Sequence, residues 1–313
     1  MKKVQNFIVA IIGAGTMGLG TATHFAVHGH KVQVQTGHRD RAEKQFADNL
    51  KSLQESGIIT ADTAAAANQN LQFFSEMKDA VASADFILEN VPENEEIKKK
   101  TFEDIAKYAD HEAIIASNTS SLNIYEFANV PAPERLVITH FFVPAYVMPL
   151  VEIVKGPETS KETVDAVYEL MSTTGKKTAV VNKVVPGFIM NRLTFALFRE
   201  AAYMVDQGWC SPEDIDRAVV ATYGPRDTFE GPFALVDSAG VDTYEKISEY
   251  LLPELCNSGD VPQNLKKRYE EGHLGVKSQQ GYYQYEDPEK ARTDRANKIV
   301  RMIQAIDEVN KEF

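Results

Sequence analysis

Apolar and polar positions alternate along the first half of the chain in two registers. Short β-branched runs, Phe7 to Ile12, Lys31 to Gln35, Phe86 to Glu89, Ala113 to Ala116 and Leu136 to His140, are separated by amphipathic stretches. Runs of this length, each followed by a helical period, predict strand–helix–strand units and a doubly wound parallel sheet in an α/β domain. Between the second and third runs, Arg39 to Asn68 is charged and helical in pattern, with an alanine-rich end at Ala61 to Ala67, and is larger than a simple crossover. From about Pro186 the texture changes. The segment Gly187 to Gly208 carries apolar residues at spacings of three and four, and Ser211-Pro212-Glu213-Asp214 has the form of a helix N-terminus. Val184-Val185-Pro186-Gly187 interrupts the pattern between the two textures. The expected organisation is a dinucleotide-binding domain over 1–185 and an all-helical substrate and dimerisation domain over 186–313. The final stretch, Arg292 to Phe313, reads as a charged amphipathic helix suited to packing or oligomerisation.

Composition narrows the class of partner. A chain of 313 residues with 43% hydrophobic content is long enough for two cores. The net charge of -12 argues against nucleic-acid and anionic-membrane partners, because a broad negative field repels polyphosphate surfaces. Cys210 and Cys256 show no paired spacing and no Cys/His cluster, which predicts reduced thiols in a cytoplasmic protein and no structural metal. Two lysines before the first apolar run superficially suggest a signal peptide, but the run enters a glycine turn at once, so it is read as a strand. No stretch approaches the roughly 20 apolar residues that span a bilayer.

The glycine turn is the first chemical signal. Ile11-Ile12-Gly13-Ala14-Gly15-Thr16-Met17-Gly18 follows an apolar strand and opens a helix. In that context Gly13 permits a tight turn, Gly15 lets a pyrophosphate approach the backbone, and Gly18 lets the helix pack closely. The phosphates then lie on a helix N-terminus at Thr16 and Met17, as in a Rossmann unit. His24 and His28 fall in this helix and read as one face of an amphipathic surface. About 20 residues beyond such a turn a carboxylate is expected at the end of the second strand, on the ribose hydroxyls of NAD. Thr36 stands there instead, with Arg39 three positions later. A hydroxyl and a guanidinium suit a 2′-phosphate, so NADP is favoured, with NAD as the alternative if Arg39 merely solvates a loop.

Three further polar segments end apolar runs, where open α/β sheets place ligand sites. They are Ser117-Asn118-Thr119-Ser120-Ser121, His140-Phe141-Phe142 leading to Leu150-Val151-Glu152, and Gly187-Phe188 with Asn191-Arg192. Each alone fits a turn, a cap or a structural histidine. In this order after a Rossmann turn, together with Val91-Pro92-Glu93, Lys98, Gly231-Pro232-Phe233, Asp237, Gly275-Val276-Lys277 and Gly281-Tyr282-Tyr283, they resemble the L-3-hydroxyacyl-CoA dehydrogenase family over nearly the whole chain. The resemblance implies His140 as acid–base catalyst, Glu152 as the carboxylate that orients it, and Ser120 and Asn191 as partners of the substrate oxygen. It implies Glu93 and Lys98 near the nicotinamide ribose, where the competing reading is a solvated helix start. It also implies a homodimer formed through the helical domain. Such a set is chemically coherent, since an imidazole titrates near neutrality and can pass the proton of a secondary alcohol while hydride moves to or from nicotinamide.

The sequence departs from the family in one place that bears on specificity. Val143 follows His-Phe-Phe where the family carries asparagine, so one hydrogen bond near the nicotinamide or substrate is lost. Pro149 to Ser160 is also similar to a sister branch that acts on free 3-hydroxy acids, including L-gulonate and carnitine dehydrogenases. Arg226, shortly before Gly231-Pro232, extends that similarity, and a guanidinium there suits a substrate carboxylate. The leading expectation is a dehydrogenase of short-chain 3-hydroxyacyl-CoA such as 3-hydroxybutyryl-CoA, for which Lys44, Lys51 and Lys98-Lys99-Lys100 offer basic groups. The alternatives are a free 3-hydroxy-acid dehydrogenase and a non-catalytic nucleotide-binding protein, the last weakened by Ser120, His140, Glu152 and Asn191 occurring together.

Overall fold

The structure, a computed structural model, describes residues 3–309. It divides into two compact units, Met1–Met190 and Asn191–Phe313. The first contains an eight-stranded sheet in the order β3-β2-β1-β4-β5-β6-β7-β8. Its strands are β1 (Ile8–Ile12), β2 (Lys31–Gln35), β3 (Leu71–Phe74), β4 (Phe86–Glu89), β5 (Ile114–Ser117), β6 (Leu136–Phe141), β7 (Leu150–Val154) and β8 (Lys177–Val181). All neighbours are parallel except β6 and β7. The helices of this unit are α1 (Thr16–Val27), α2 (Arg39–Glu55), α3 (Ala61–Asn70), α4 (Met77–Val81), α5 (Glu95–Tyr108) and α6 (Lys161–Thr173).

The central strands are apolar on both faces because helices cover both. In β1, Val9 and Ile11 pack with Leu19, Phe25, Phe46, Leu50, Val167 and Leu170 in one cluster. Ala10 and Ile12 face the other way, among Val81, Ile87, Phe102 and Ile105. Each fully buried large apolar side chain contributes about 1.5–3 kcal/mol of transfer free energy, so the two clusters are what hold the sheet between its helices. Strand order reverses between β2 and β4 at β1, and the crevice at such a switch point is where an open sheet binds its ligand.

The five runs read from the sequence correspond to β1, β2, β4, β5 and β6. Strands β3, β7 and β8 were not among them. β3 and β8 are the sheet's edge strands and are only partly buried, so neither shows a continuous apolar run. The long segment after β2 is two helices, α2 and α3, interrupted at 56–60, with Thr60 capping α3 by accepting from the Thr63 N–H. One reading needs correction: His24 is not on a surface face. α1 is buried from Gly18 to Ala26, including His24, because the sheet, Asn49 of α2 and Phe141 enclose it. Only His28 is exposed.

The second unit is helical: α7 (Met190–Asp206), α8 (Pro212–Arg226), α9 (Pro232–Ala239), α10 (Val241–Leu251), α11 (Gln263–Glu270) and α12 (Pro288–Val309). Ser211 caps α8 by accepting from the Asp214 N–H at 3.1 Å, with Pro212 in the first turn, where a missing N–H costs nothing. α12 starts before Arg292, and residues 310–313 of the expected terminal helix lie outside the described residues. No helix of the described residues is long and apolar enough to cross a membrane.

Candidate active site

The glycine turn is built as tightly as its sequence requires. Gly13 has φ +96°, and a Cβ there would stand 2.9 Å from the Asn90 carbonyl oxygen. A Cβ on Gly18 would fall 1.8 Å from the Gly13 carbonyl oxygen, so the start of α1 closes on the turn only with glycine in place. Gly15 meets no atom within 4 Å of a Cβ position and leaves its backbone face open at the N-terminus of α1. An open, glycine-lined helix N-terminus suits a pyrophosphate, so these residues fit the dinucleotide that the turn implies.

At the end of β2, Thr36 is largely buried; its N–H donates to Phe74 O, and its hydroxyl oxygen accepts from the His38 N–H at 3.1 Å. Arg39 opens α2 as an exposed side chain, and its Nε donates to Glu43 Oε1 at 2.7 Å.

His140 and Glu152 are opposed residues of the antiparallel pair β6 and β7, which explains how a separation of a dozen positions in sequence becomes contact. Nδ1 of His140 lies 2.7 Å from Glu152 Oε2, the distance at which Nδ1–H donates to the carboxylate and leaves Nε2 for a substrate. The other carboxylate oxygen accepts from the N–H groups of Ile189 and Met190 at 2.9 and 2.8 Å. Burial pushes Glu152 up, but the His140 hydrogen bond, the Met190 and Ile189 N–H groups and the imidazole charge outweigh it, so its carboxyl titrates below the ordinary value. The ring of His140 packs against Phe142, 4.5 Å between centroids, and against Phe188 at 5.6 Å. Phe188 has φ 48°, a conformation unfavourable for a side chain with a Cβ, and it is held there as a fully enclosed ring in the turn that delivers the Ile189 and Met190 donors.

A second cluster joins the ends of β4 and β5. Glu89, the last residue of β4, is fully buried and receives Lys98 Nζ on both oxygens at 2.8 and 2.9 Å, the Val91 N–H at 2.7 Å and the Ser117 hydroxyl at 2.6 Å. Lys98 also lies 3.4 Å from Glu93. Glu93 Oε1 in turn accepts from the Thr119 hydroxyl at 2.6 Å and from the Ser120 and Ser121 N–H groups, both at 3.0 Å, with the Ser120 hydroxyl at 3.3 Å. Burial pushes Glu93 up, but Thr119, Lys98, Ser120 and Ser121 together hold its carboxyl below the ordinary value. Lys98 is 1% exposed, so it is not part of a solvated helix start; its ammonium is committed to two carboxylates that shape the Ser120 loop.

Asn118 ties the two clusters together. Its Nδ2 donates to Asn90 Oδ1 at 2.8 Å, and its Oδ1 accepts the Phe141 N–H at 2.8 Å, next to His140. Asn118 lies in a polar segment marked from the sequence without a role of its own, and Glu89 and Asn90 carry none there. Polar residues at the ends of two otherwise apolar strands were the available signal, since a buried carboxylate there must find partners. Asn191 and Arg226 belong to the second unit. Arg226 closes α8, its guanidinium lies over the Tyr223 ring at 5.1 Å, and its Nε lies 3.6 Å from Asp227 Oδ1 without making a hydrogen bond. Among the described residues no group of three or more His, Cys, Asp or Glu could hold a metal ion.

Comparison with known proteins decides the family. Residues 8–184 match the 3-hydroxyacyl-CoA dehydrogenase NAD-binding domain, and 187–285 match the C-terminal domain of the same enzymes. The chain belongs to the 3-hydroxyacyl-CoA dehydrogenase family. It is an oxidoreductase acting on a secondary hydroxyl with a nicotinamide cofactor. Among its relatives, 5-formyl-3-hydroxy-2-methylpyridine 4-carboxylate 5-dehydrogenase of Mesorhizobium japonicum is 34% identical over 93% of this chain and 96% of its own. A crystal structure of an enzyme of that name, an NAD+-dependent dismutase, superimposes with a TM-score of 0.88 over 96% of this chain and 99% of the other, at 33% identity. L-carnitine dehydrogenase of Staphylococcus epidermidis is 38% identical over 74% of this chain and 72% of its own. 3-Hydroxybutyryl-CoA dehydrogenase of Bradyrhizobium diazoefficiens is 34% identical over 88% and 94%.

Proposed function

We propose that this family member interconverts a small free 3-hydroxy acid and the corresponding 3-keto acid, with NADP as the preferred cofactor. The observation that carries the redox reading is the His140–Glu152 pair, whose carboxylate is pinned by two backbone N–H groups. In the reductive direction protonated His140 gives its Nε2 proton to the oxygen of the former carbonyl, and in the oxidative direction neutral His140 removes it from the alcohol. Bound nicotinamide supplies or accepts the hydride. Glu152 keeps the imidazole in one tautomer and balances its charge when it is protonated. The Ser120 hydroxyl and Asn191 are assigned to the substrate oxygen, where hydrogen bonds strengthen as negative charge grows. Glu93 holds the Ser120 loop through its backbone N–H groups.

The free-acid reading rests on Arg226, a guanidinium that among the described residues makes no hydrogen bond through Nε, has only a longer 3.6 Å ion pair with the exposed Asp227, and suits a carboxylate. The pyridine carboxylate and carnitine enzymes are relatives whose named substrates carry a free carboxylate, which favours the same reading. A second reading, a short-chain 3-hydroxyacyl-CoA thioester, is favoured by the Bradyrhizobium relative and by exposed Lys44, Lys51, Lys99 and Lys100. The NADP preference rests on Thr36 standing where a ribose-binding acid belongs and on exposed Arg39 at the start of α2. We assign the enzyme to the cytoplasm, as a homodimer.

A panel of NADPH and NADH against acetoacetyl-CoA and free 3-keto acids tests both choices. Turnover of free acids with an NADPH preference is expected; turnover confined to the thioester would reject the free-acid reading, and equal or better kcat/KM with NADH would reject NADP. His140→Gln should lower kcat about 10²- to 10⁴-fold with dinucleotide binding retained, since it removes a proton carrier and not the phosphate site. Near-native turnover in that variant would overturn the acid–base assignment.

A further inference from the structure

The redox chemistry leaves one buried cation unused. Lys176 lies between α6 and β8, just after Gly175 (φ +75°), and is 6% exposed. Its Nζ donates to the carbonyl oxygens of Ala145 and Met148, both at 2.6 Å. These carbonyls belong to the connection 142–149 that joins β6, which bears His140, to β7, which bears Glu152. The next residue, Lys177, donates its N–H to Pro149 O at 2.8 Å, so the start of β8 grips the far end of the same connection.

The connection also rests on the cofactor helix. A Cβ built on Gly20 of α1 would stand 3.1 Å from the Ala145 Cβ, which places the two backbones in close approach. Lys176 Nζ lies 5.8 Å from the Phe141 ring, and that ring packs against His24 of α1 at 6.5 Å. Within the connection itself burial raises Tyr146; around it, burial pulls Lys176 down to about 7, and burial followed by the Lys176 charge holds His24 well below its ordinary value, with a buried Nε2 lacking a hydrogen-bond partner. Burying a lone ammonium is costly, and the two carbonyls are the acceptors that offset the cost.

We propose that Lys176 is a positioning residue for the reaction: by clamping Ala145 and Met148 it holds the His140–Glu152 connection against the dinucleotide helix and so fixes the distance between proton carrier and nicotinamide. It touches neither substrate nor cofactor. The proposal rests on the acid–base role of His140.

Steady-state kinetics of Lys176→Met, Lys176→Gln and Gly20→Ala, with His140→Gln measured alongside, test it. Lys176→Met should lower kcat/KM for the dinucleotide about tenfold or more, since misplacing reacting groups by about 1 Å costs up to ~10²-fold. The KM for the keto acid should stay within about twofold, because its binding groups are untouched. Lys176→Gln should recover part of the loss, because its amide still donates to a carbonyl. A space-filling role predicts the reverse ranking, since methionine matches the lysine stem and buries no polar group. Gly20→Ala presses on Ala145 from the opposite side and should reproduce the dinucleotide defect with Lys176 intact. Wild-type kinetics in Lys176→Met, or a methionine variant equal to or better than the glutamine one, would overturn the proposal. If Lys176→Met does not fold, unchanged dinucleotide kcat/KM in both Lys176→Gln and Gly20→Ala overturns it. An inactive His140→Gln beside an unaffected Lys176→Met removes only the clamp, whereas an active His140→Gln removes the acid–base reading itself.

Discussion

The two units differ most in what they bury. The first has two apolar clusters on either face of its sheet and, between the strand ends, charged groups that are almost all paired. In the second, among the described residues, only Ala202 and Val300 are buried, while Phe233 is 86% exposed and Phe195, Val220, Phe229 and Tyr250 are also open. A sheet covered on both sides supplies its own core. Helices with so many large apolar side chains exposed do not, and apolar side chains left open in such number favour burial against a partner. The difference supports the proposed self-association through the helical unit.

The sharpest way to break the first unit is at its tightest point. Gly18→Ala would place a methyl 1.8 Å from the Gly13 carbonyl, a backbone atom that cannot swing aside. A loss of about 3 kcal/mol or more is expected, at the upper end of overpacking costs, together with loss of dinucleotide binding. Denaturant midpoints and NADPH fluorescence titration measure both. A variant that binds NADPH normally would mean that the turn is not packed as described.

The second unit should break differently. If its exposed helices pair with a second copy, the wild-type midpoint temperature rises with protein concentration, because association stabilises by mass action. Phe233→Glu should then dissociate the assembly in sedimentation and lower stability chiefly in the second unit. A wild-type protein that sediments as a monomer at all concentrations would remove the homodimer proposal.

A smaller effect sharpens the proposed cofactor choice within the first unit. Arg39→Ala should lower kcat/KM for NADPH by about tenfold while changing that for NADH little, as expected when one charge-assisted hydrogen bond to a phosphate is lost. Glu43→Gln, which removes the partner of Arg39 Nε, should cost less, because exposed ion pairs contribute only about 0–1 kcal/mol. Equal losses with both nucleotides in Arg39→Ala would show that the guanidinium does not read the 2′-position.

What the sequence reveals follows from the same contrast. Strands β1, β4, β5 and β6 and the glycine turn are legible because burial on both faces demands nearly unbroken apolar runs and a dinucleotide turn demands glycine at fixed offsets, while β2 is legible from its alternating valines. The edge strands β3 and β8 are not, since partial burial leaves no such run. His140 and Glu152 could be paired only through resemblance, because the register of an antiparallel pair such as β6 and β7 is set by packing that a linear pattern does not display. Glu89 was hidden for a related reason: as the last residue of an apolar run it looks like a strand end meeting water, whereas it is the buried hub for Lys98, Ser117 and the Val91 N–H. His24 was misplaced because the sheet, Asn49 and Phe141 enclose a helix side that its own sequence marks as polar.

Acid should reverse the advantage of the first unit. Burial, followed by the charges of Lys176, His28 and His30, lowers His24 well below 6.5, and burial lowers the enclosed His30 as well. A native histidine that stays neutral binds fewer protons than the unfolded chain once the pH drops below 6.5, so the unfolded state gains. The contribution of the enclosed His24 and His30 is therefore fully present above that value and is lost as the pH goes down, by about 1.4 kcal/mol per pH unit for each of the two while its native form remains neutral. Glu93 and Glu152, held below their ordinary values, add a further loss only once the pH falls below about 4.5, where the unfolded carboxylates take up protons first. Hydrogen exchange between pH 7 and 5, corrected for intrinsic rates, should show protection lost first around α1 and β6. His24→Leu should flatten that dependence by one proton's worth, and an unchanged slope in this variant would mean that His24 takes up its proton without leaving the fold.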